Sequence, residues 1–193
     1  MNVGCILMAA GAGQRFGGDK LLAEFKGAPL YAHALACIPT EAFAGVAVVA
    51  HAEAVLSAAR QRGFCAVYNS APEAGVSRTI ALGMDALAGM DALLFLVADQ
   101  PLLRPESVRA QIAFFRAHPH NIVALGHGAR RGNPVVFPKA YFPALRALSG
   151  DVGGSAVIRA NPDALLLFAV ENPLELADVD TVAALQALAN GQV

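Results

Sequence analysis

Charged side chains are scarce in this chain. They make up 15% of its 193 residues against 56% hydrophobic ones, and the formal net charge at pH 7 is −1. So slight a charge draws in no DNA, RNA or anionic membrane at long range, and no basic stripe of the kind found on nucleic-acid-binding faces is present. The apolar excess argues against disorder and supplies material for a substantial core. Cysteine is sparse as well. Cys5, Cys37 and Cys65 are odd in number, match no CxxC spacing and lie in apolar stretches, so they read as buried thiols in a reducing cytosol. The histidines, His33, His51, His118, His120 and His127, have no metal-ligand spacing and read as structural or solvated, with only His127 near a proposed pocket. No uncharged apolar run is long enough to span a bilayer. The N-terminal apolar run has no basic region before it and breaks into Gly11-Ala12-Gly13, unlike a leader peptide. The expectation is a soluble, cytoplasmic protein. With no repeat, low-complexity tract or linker, one domain over residues 1–193 is the simplest organisation.

What is there is alternation. Strand-like runs at Val3 to Ala9, Gly45 to Ala50, Cys65 to Tyr68, Ala92 to Ala98, Asn121 to Leu125, Val135 to Phe137 and Leu165 to Phe168 are interleaved with helical segments. The helices are expected at Ala54 to Arg62, Ser77 to Leu87, Glu106 to Ala117, Tyr141 to Leu148, Ser155 to Arg159 and Asp180 to Leu188. Pro105 suits a first helical turn, and Asp180 or Thr181 is available to cap the last helix. Ala92 to Ala98 is apolar without interruption, as strands buried on both faces are. The pattern predicts an α/β fold with helices on both faces of a mostly parallel sheet.

The first strand runs into Ala9-Ala10-Gly11-Ala12-Gly13-Gln14-Arg15-Phe16-Gly17-Gly18-Asp19-Lys20. Glycines after a first strand let backbone N–H groups turn inward and cradle phosphate oxygens. A Walker A loop is excluded because Lys20 follows Asp19 and precedes Leu21. A dinucleotide fingerprint is excluded because Phe16 stands where its third glycine belongs, and no ribose-binding acid follows the second strand. What remains distinctive is Arg15 with Lys20, two cations that can hold a triphosphate and offset charge as pyrophosphate leaves. Asp99 follows the central strand in Ala98-Asp99-Gln100-Pro101. It should therefore project into the crevice at the carboxyl ends of the strands, where a carboxylate can ligate Mg²⁺.

The string AAGxGxRxGxxK after the first strand resembles the signature of the MobA-like nucleotidyltransferases, and the resemblance extends from Val3 to Ala187. It implies a three-layer, Rossmann-like nucleotidyltransferase fold and Mg²⁺ (or Mn²⁺) as cofactor. It also implies transfer of a nucleoside monophosphate from a nucleoside triphosphate to a phosphorylated acceptor. Backbone amides of Ala10 to Gly13, with Ala9 beside them, would hold the phosphates, and Arg15 and Lys20 would offset their charge. Gly75 and Ser77 would line the nucleotide pocket, with Ser77 as helix cap or ligand donor. Arg78 stands where the family has a small hydroxyl residue, and either reaches a phosphate or is solvated. Asp99 would be the main metal ligand. In Asp178-Val179-Asp180-Thr181, Asp180 is read first as a helix cap, which leaves Asp178 freer to complete the metal shell.

On the acceptor side, Arg131 and Asn133 in Arg130-Arg131-Gly132-Asn133-Pro134-Val135 resemble the family's GHPV stretch, and Asp151 lies in its GDxG turn. Two departures stand out: Asn133 replaces a histidine, and Ser155 replaces the arginine of a GAR turn. The form Ala9-Ala10-Gly11 resembles pyrimidine-nucleotide enzymes more than guanylyltransferases, which carry AGG, and so favours CTP over GTP. The ADQP form is that of the cytidylyltransferase branch. The resemblance thus implies CTP as donor, molybdenum-bearing molybdopterin as acceptor, and a molybdoenzyme or its chaperone as onward partner. The rivals are guanylyl transfer, transfer to a sugar phosphate or other small phosphorylated acceptor, a binding module without turnover, and an NAD-binding oxidoreductase.

Overall fold

A computed structural model describes residues 1–11 and 16–191. Its centre is a seven-stranded sheet in the order β5-β4-β1-β6-β8-β7-β9. The strands are β1 (Val3–Ala9), β4 (Gly45–Ala50), β5 (Cys65–Tyr68), β6 (Ala92–Val97), β7 (Ile122–His127), β8 (Arg130–Pro138) and β9 (Leu165–Ala169). A separate two-residue hairpin is formed by β2 (Glu24–Phe25) and β3 (Ala28–Pro29). Every pairing in the large sheet is parallel except those of β8, which runs antiparallel to both β6 and β7. The mostly parallel sheet expected from the sequence is therefore present, with one reversed strand.

Alternation along each strand divides the core into two layers. Cys5 and Leu7 of β1, Val48 of β4, and Leu94 and Leu96 of β6 face one side. There they meet α1 (Leu30–Ala36), α2 (Glu53–Gln61) and α4 (Pro105–Ala117) through Leu35, Leu56 and Ile112. Ile6, Val49, Leu93 and Phe95 face the other side. Their partners are α3 (Val76–Ala86), α5 (Phe142–Arg146) and α6 (Ser155–Ala160), through Met84, Leu145 and Ile158. Each fully buried Leu or Ile contributes roughly 1.5–3 kcal/mol, so two such layers explain why uninterrupted apolar strands were selected. Helix α3 lies so close to β1 that a Cβ on Gly83 would come within 2.5 Å of the Ile6 side chain.

A third, smaller cluster holds the end of the chain. Val179, and Leu185 and Leu188 of α7 (Val182–Ala189), pack on Phe25 and Leu30 near the hairpin. Among the described residues no helix is long and apolar enough to cross a membrane.

Several elements differ from the sequence reading. Helix α1 spans only Leu30–Ala36 behind Pro29, and seven residues give too short a periodic pattern to stand out. Strand β8 begins at Arg130, five residues before the apolar run that betrays it, so Arg130 and Arg131 are strand residues and not part of a loop. The last helix begins at Val182. Thr181 caps it, its hydroxyl accepting a hydrogen bond from the Ala184 amide at 3.1 Å, so the cap is not Asp180.

Candidate nucleotide and acceptor site

The chain passes from β1 to β4 and β5 on one side of the sheet, then crosses to β6 on the other. Strands β1 and β6 are adjacent, so the strand order reverses between them. In open α/β sheets the crevice at the carboxyl ends of such a pair is where ligands bind. A cleft of about 600 Å³ lies there. Ala9, Ala10 and Gly11 leave β1 along one wall, and Ala98 and Asp99 leave β6 along another.

Lys20 and Asp99, far apart in sequence, meet in this cleft. The Lys20 Nζ donates to Asp99 Oδ2 at 2.8 Å and lies 3.5 Å from Asp180 Oδ1. Only 14% of the lysine side chain is exposed. The second carboxylate oxygen, Asp99 Oδ1, is buried and has no hydrogen-bond partner among the described residues. An orphaned carboxylate oxygen in a polar cleft suits a hard divalent cation such as Mg²⁺ or Mn²⁺. Among the described residues, no three His, Cys, Asp or Glu side chains converge closely enough to hold a metal by themselves.

The C-terminal segment clasps this arrangement. The Val179 amide donates to the Asp99 carbonyl at 2.9 Å, which fixes the backbone that carries the carboxylate. Asp178 does not line the cleft. It accepts a hydrogen bond from Gln100 Nε2 at 2.9 Å. Burial, and then the nearby charge of Asp99, push its carboxyl above the ordinary range, while the bond from Gln100 works against that shift. Further back, buried Glu175 accepts from the Arg104 amide at 3.2 Å and from its Nε at 3.0 Å, tying this segment to the start of α4.

On the opposite wall Gly75 precedes α3 with φ of +92°. A Cβ there would lie 2.3 Å from the Gly150 carbonyl carbon, so only glycine lets the two turns meet. The Ser77 amide donates to the Gly150 carbonyl at 3.2 Å, and Asp151 is thereby carried to the cleft wall. Ser77 is 8% exposed and lies inside the first turn of α3. It neither caps the helix nor lines the cleft. Arg78 is held by Asn69 Oδ1, which accepts from its Nε at 3.0 Å, and by Ser70.

A second hollow of about 180 Å³ adjoins the cleft and shares Met8 and Val97 with it. Arg131 and Asn133 open into it. The reversed direction of β8 explains their position: Phe95 pairs with Val135 and Leu93 with Phe137, so the start of β8 lies at the end of β6 that leads to Asp99. The register slips on the β7 side, where Ala124 pairs with Val135 but Gly126 with Arg131. Buried Gln111 of α4 steadies that irregularity, donating to the carbonyls of Pro134 at 2.8 Å and Val123 at 3.1 Å. Of the residues expected to bind phosphate, Ala12, Gly13 and Arg15 lie outside the described residues.

A sequence profile of the MobA-like NTP transferase domain matches residues 5–165. The chain belongs to the MobA-like NTP transferase family. No curated protein matches its sequence closely. Among solved structures, the nucleotidyl transferase Mth528 of Methanothermobacter thermautotroptrophicus superposes with a TM-score of 0.82 at 20% identity, over 99% of this chain and 97% of that one. Rv0371c of Mycobacterium tuberculosis H37Rv gives 0.80 at 20% identity over 98% of both chains. It has also been solved in complex with manganese. CMP:2-keto-3-deoxy-manno-octonic acid synthetase, solved with CTP, gives 0.73 at 15% identity over 98% of both chains. At these identities the likeness is one of fold. This MobA-like chain is thus a nucleotide-binding transferase by family, and its cleft stands at the switch point of that fold. The sequence reading missed Asp180 as a cleft residue. The signal was available: Thr181 can serve as the cap, which leaves Asp180 for another role.

Proposed function

We propose that the protein is a Mg²⁺-dependent (or Mn²⁺-dependent) cytidylyltransferase, a single domain over residues 1–193, that moves CMP from CTP to a phosphorylated acceptor and releases pyrophosphate. The observation that carries this reading is the meeting of Lys20 and Asp99, with its orphaned Oδ1, in a cleft walled by Ala9, Ala10 and Gly11. An acceptor phosphate oxygen attacks the α-phosphorus of CTP, the bond to the bridging oxygen breaks, and that electron pair leaves on pyrophosphate. A phosphate monoester is already largely ionised near neutral pH, so no general base is required. The protein's work is positioning and charge compensation. Backbone amides from Ala10 to Gly13 cradle the phosphates, and Arg15 and Lys20 offset charge on the β- and γ-phosphates. Asp99 would hold the metal, with Asp180, across Lys20 from it, the better placed second carboxylate than Asp178. When bound, the cation would supply Lewis-acid stabilisation of the phosphates. Ala10, in place of a second glycine, supports CTP over GTP, and the CTP complex of a protein of the same fold is in keeping with that choice. Arg131, Asn133 and Asp151 face the acceptor. Molybdenum-bearing molybdopterin is the acceptor that the sequence pattern supports, with a molybdoenzyme or its chaperone downstream.

The test is calorimetric titration with CTP, GTP, UTP and ATP, each with Mg²⁺, beside an Asp99→Ala variant. CTP should bind with the highest affinity and should weaken in the variant. Preference for a purine nucleotide would overturn the Ala10 argument, and absence of binding by all four would overturn the donor site.

A further inference from the structure

The hollow beside the cleft differs from it in chemistry. Its apolar walls are Ile80 of α3, Phe95 of β6, Val135 and Phe137 of β8, Leu145 of α5 and Ile158 of α6, while Arg131, Asn133 and Ser155 supply its polar lining. Phe95 and Phe137 meet edge to face, with ring centroids 5.8 Å apart. The apolar walls offer no hydrogen bonds, so a sugar placed against them would lose those its hydroxyls make with water. An apolar ring would lose nothing and would gain by leaving water. The size agrees: the hollow measures about 180 Å³, and an apolar cavity of about 150 Å³ is known to admit benzene.

Polarity is graded along β8. Val135 and Phe137 pair with Phe95 and Leu93, deep in the sheet. Arg131 and Asn133 precede them, toward the Asp99 end. Arg131 Nη2 donates to Ser155 Oγ at 3.0 Å, which holds the guanidinium at the rim. Both departures from the family pattern, Asn133 for histidine and Ser155 for arginine, fall in this one hollow. Each exchanges a larger side chain for a smaller one that carries no charge. Gly154 keeps the wall thin, since a Cβ there would come within 3.0 Å of the Phe137 ring.

We propose that this hollow is an acceptor subsite that seats one apolar or aromatic ring, with the acceptor's phosphate directed past Arg131 toward the donor cleft. The inference rests on the nucleotidyl-transfer reading and narrows its substrate class: phosphate monoesters that carry an apolar or aromatic ring are favoured over sugar phosphates.

The test uses the full chain with Mg²⁺ and α,β-methylene-CTP, which prevents turnover. Phenyl phosphate, glucose 1-phosphate and inorganic phosphate are titrated in turn by calorimetry. Phenyl phosphate should bind at least about tenfold more tightly than either of the others, the discrimination that burying a small apolar group supplies. Ile80→Trp, which fills the hollow, should abolish that advantage while the nucleotide analogue binds as before. Leu145→Phe is the second filling variant, should the first not fold. Glucose 1-phosphate binding as tightly as phenyl phosphate would overturn the proposal, as would an advantage that survives a folded filling variant. If the nucleotide itself fails to bind, the transferase reading falls and the subsite with it. If it binds but phenyl phosphate shows no advantage, only the subsite falls.

Discussion

Asp180 and Thr181 are neighbours with separate duties. The Thr181 hydroxyl caps α7, while Asp180 lines the cleft beside Lys20. Thr181→Ala should cost about 1 kcal/mol of stability, read as a lowered urea midpoint, and leave nucleotide affinity unchanged. Asp180→Ala should instead weaken Mn²⁺ binding in the presence of CTP by about tenfold or more, followed by electron paramagnetic resonance. The sequence pointed to Asp99 and Lys20 separately, through the strand before one and the glycine loop before the other, and paired Lys20 with Arg15 and not with Asp99. It did not announce which aspartate of Asp178-Val179-Asp180 would face inward, because a cap, a metal ligand and a partner for Gln100 all call for the same side chain. Only packing decides, and it turns Asp178 to Gln100.

Elements were legible in proportion to their burial. β1, β4 and β6 are apolar throughout because helices cover both faces, and their bounds could be read almost to the residue. β8 was half legible: its buried end reads as a strand, whereas its start carries exposed Arg130 and brings Arg131 and Asn133 to the hollow, and so lacks the pattern that burial imposes. Nor does local sequence signal that a strand this late in the chain is inserted between β6 and β7 in reverse. The junction of α3 with the 150–151 turn was similarly opaque, since a glycine is read as a turn and not as a point of contact. Gly75→Ala tests that contact. The new Cβ meets the Gly150 carbonyl at 2.3 Å and the backbone φ is +92°, so about 1–3 kcal/mol of stability should be lost, measured by denaturant titration. The turn that carries Asp151 should move with it, raising the KM for the acceptor more than that for CTP.

Over the whole molecule, the cleft is built from distant parts of the chain. β1 and Lys20 come from the beginning, Asp99 from the middle, and the clasp of Glu175, Val179 and Asp180 from the end. Every strand of the sheet is complete by Ala169, before that clasp begins. The order in which a ribosome delivers these parts therefore matters. Domains begin to fold during synthesis from the N-terminal side, at about 5–20 residues per second. A chain released after residue 172 has all its strands yet lacks Val179 to brace the Asp99 backbone and Asp180 to face Lys20. Such a chain should show the far-ultraviolet dichroism of the sheet but take up no fluorescent CTP analogue, whereas a chain extended through residue 191 should take it up. Nucleotide capture is then expected to wait for the segment after residue 172: a chain stopped short of it would hold no triphosphate and start no transfer.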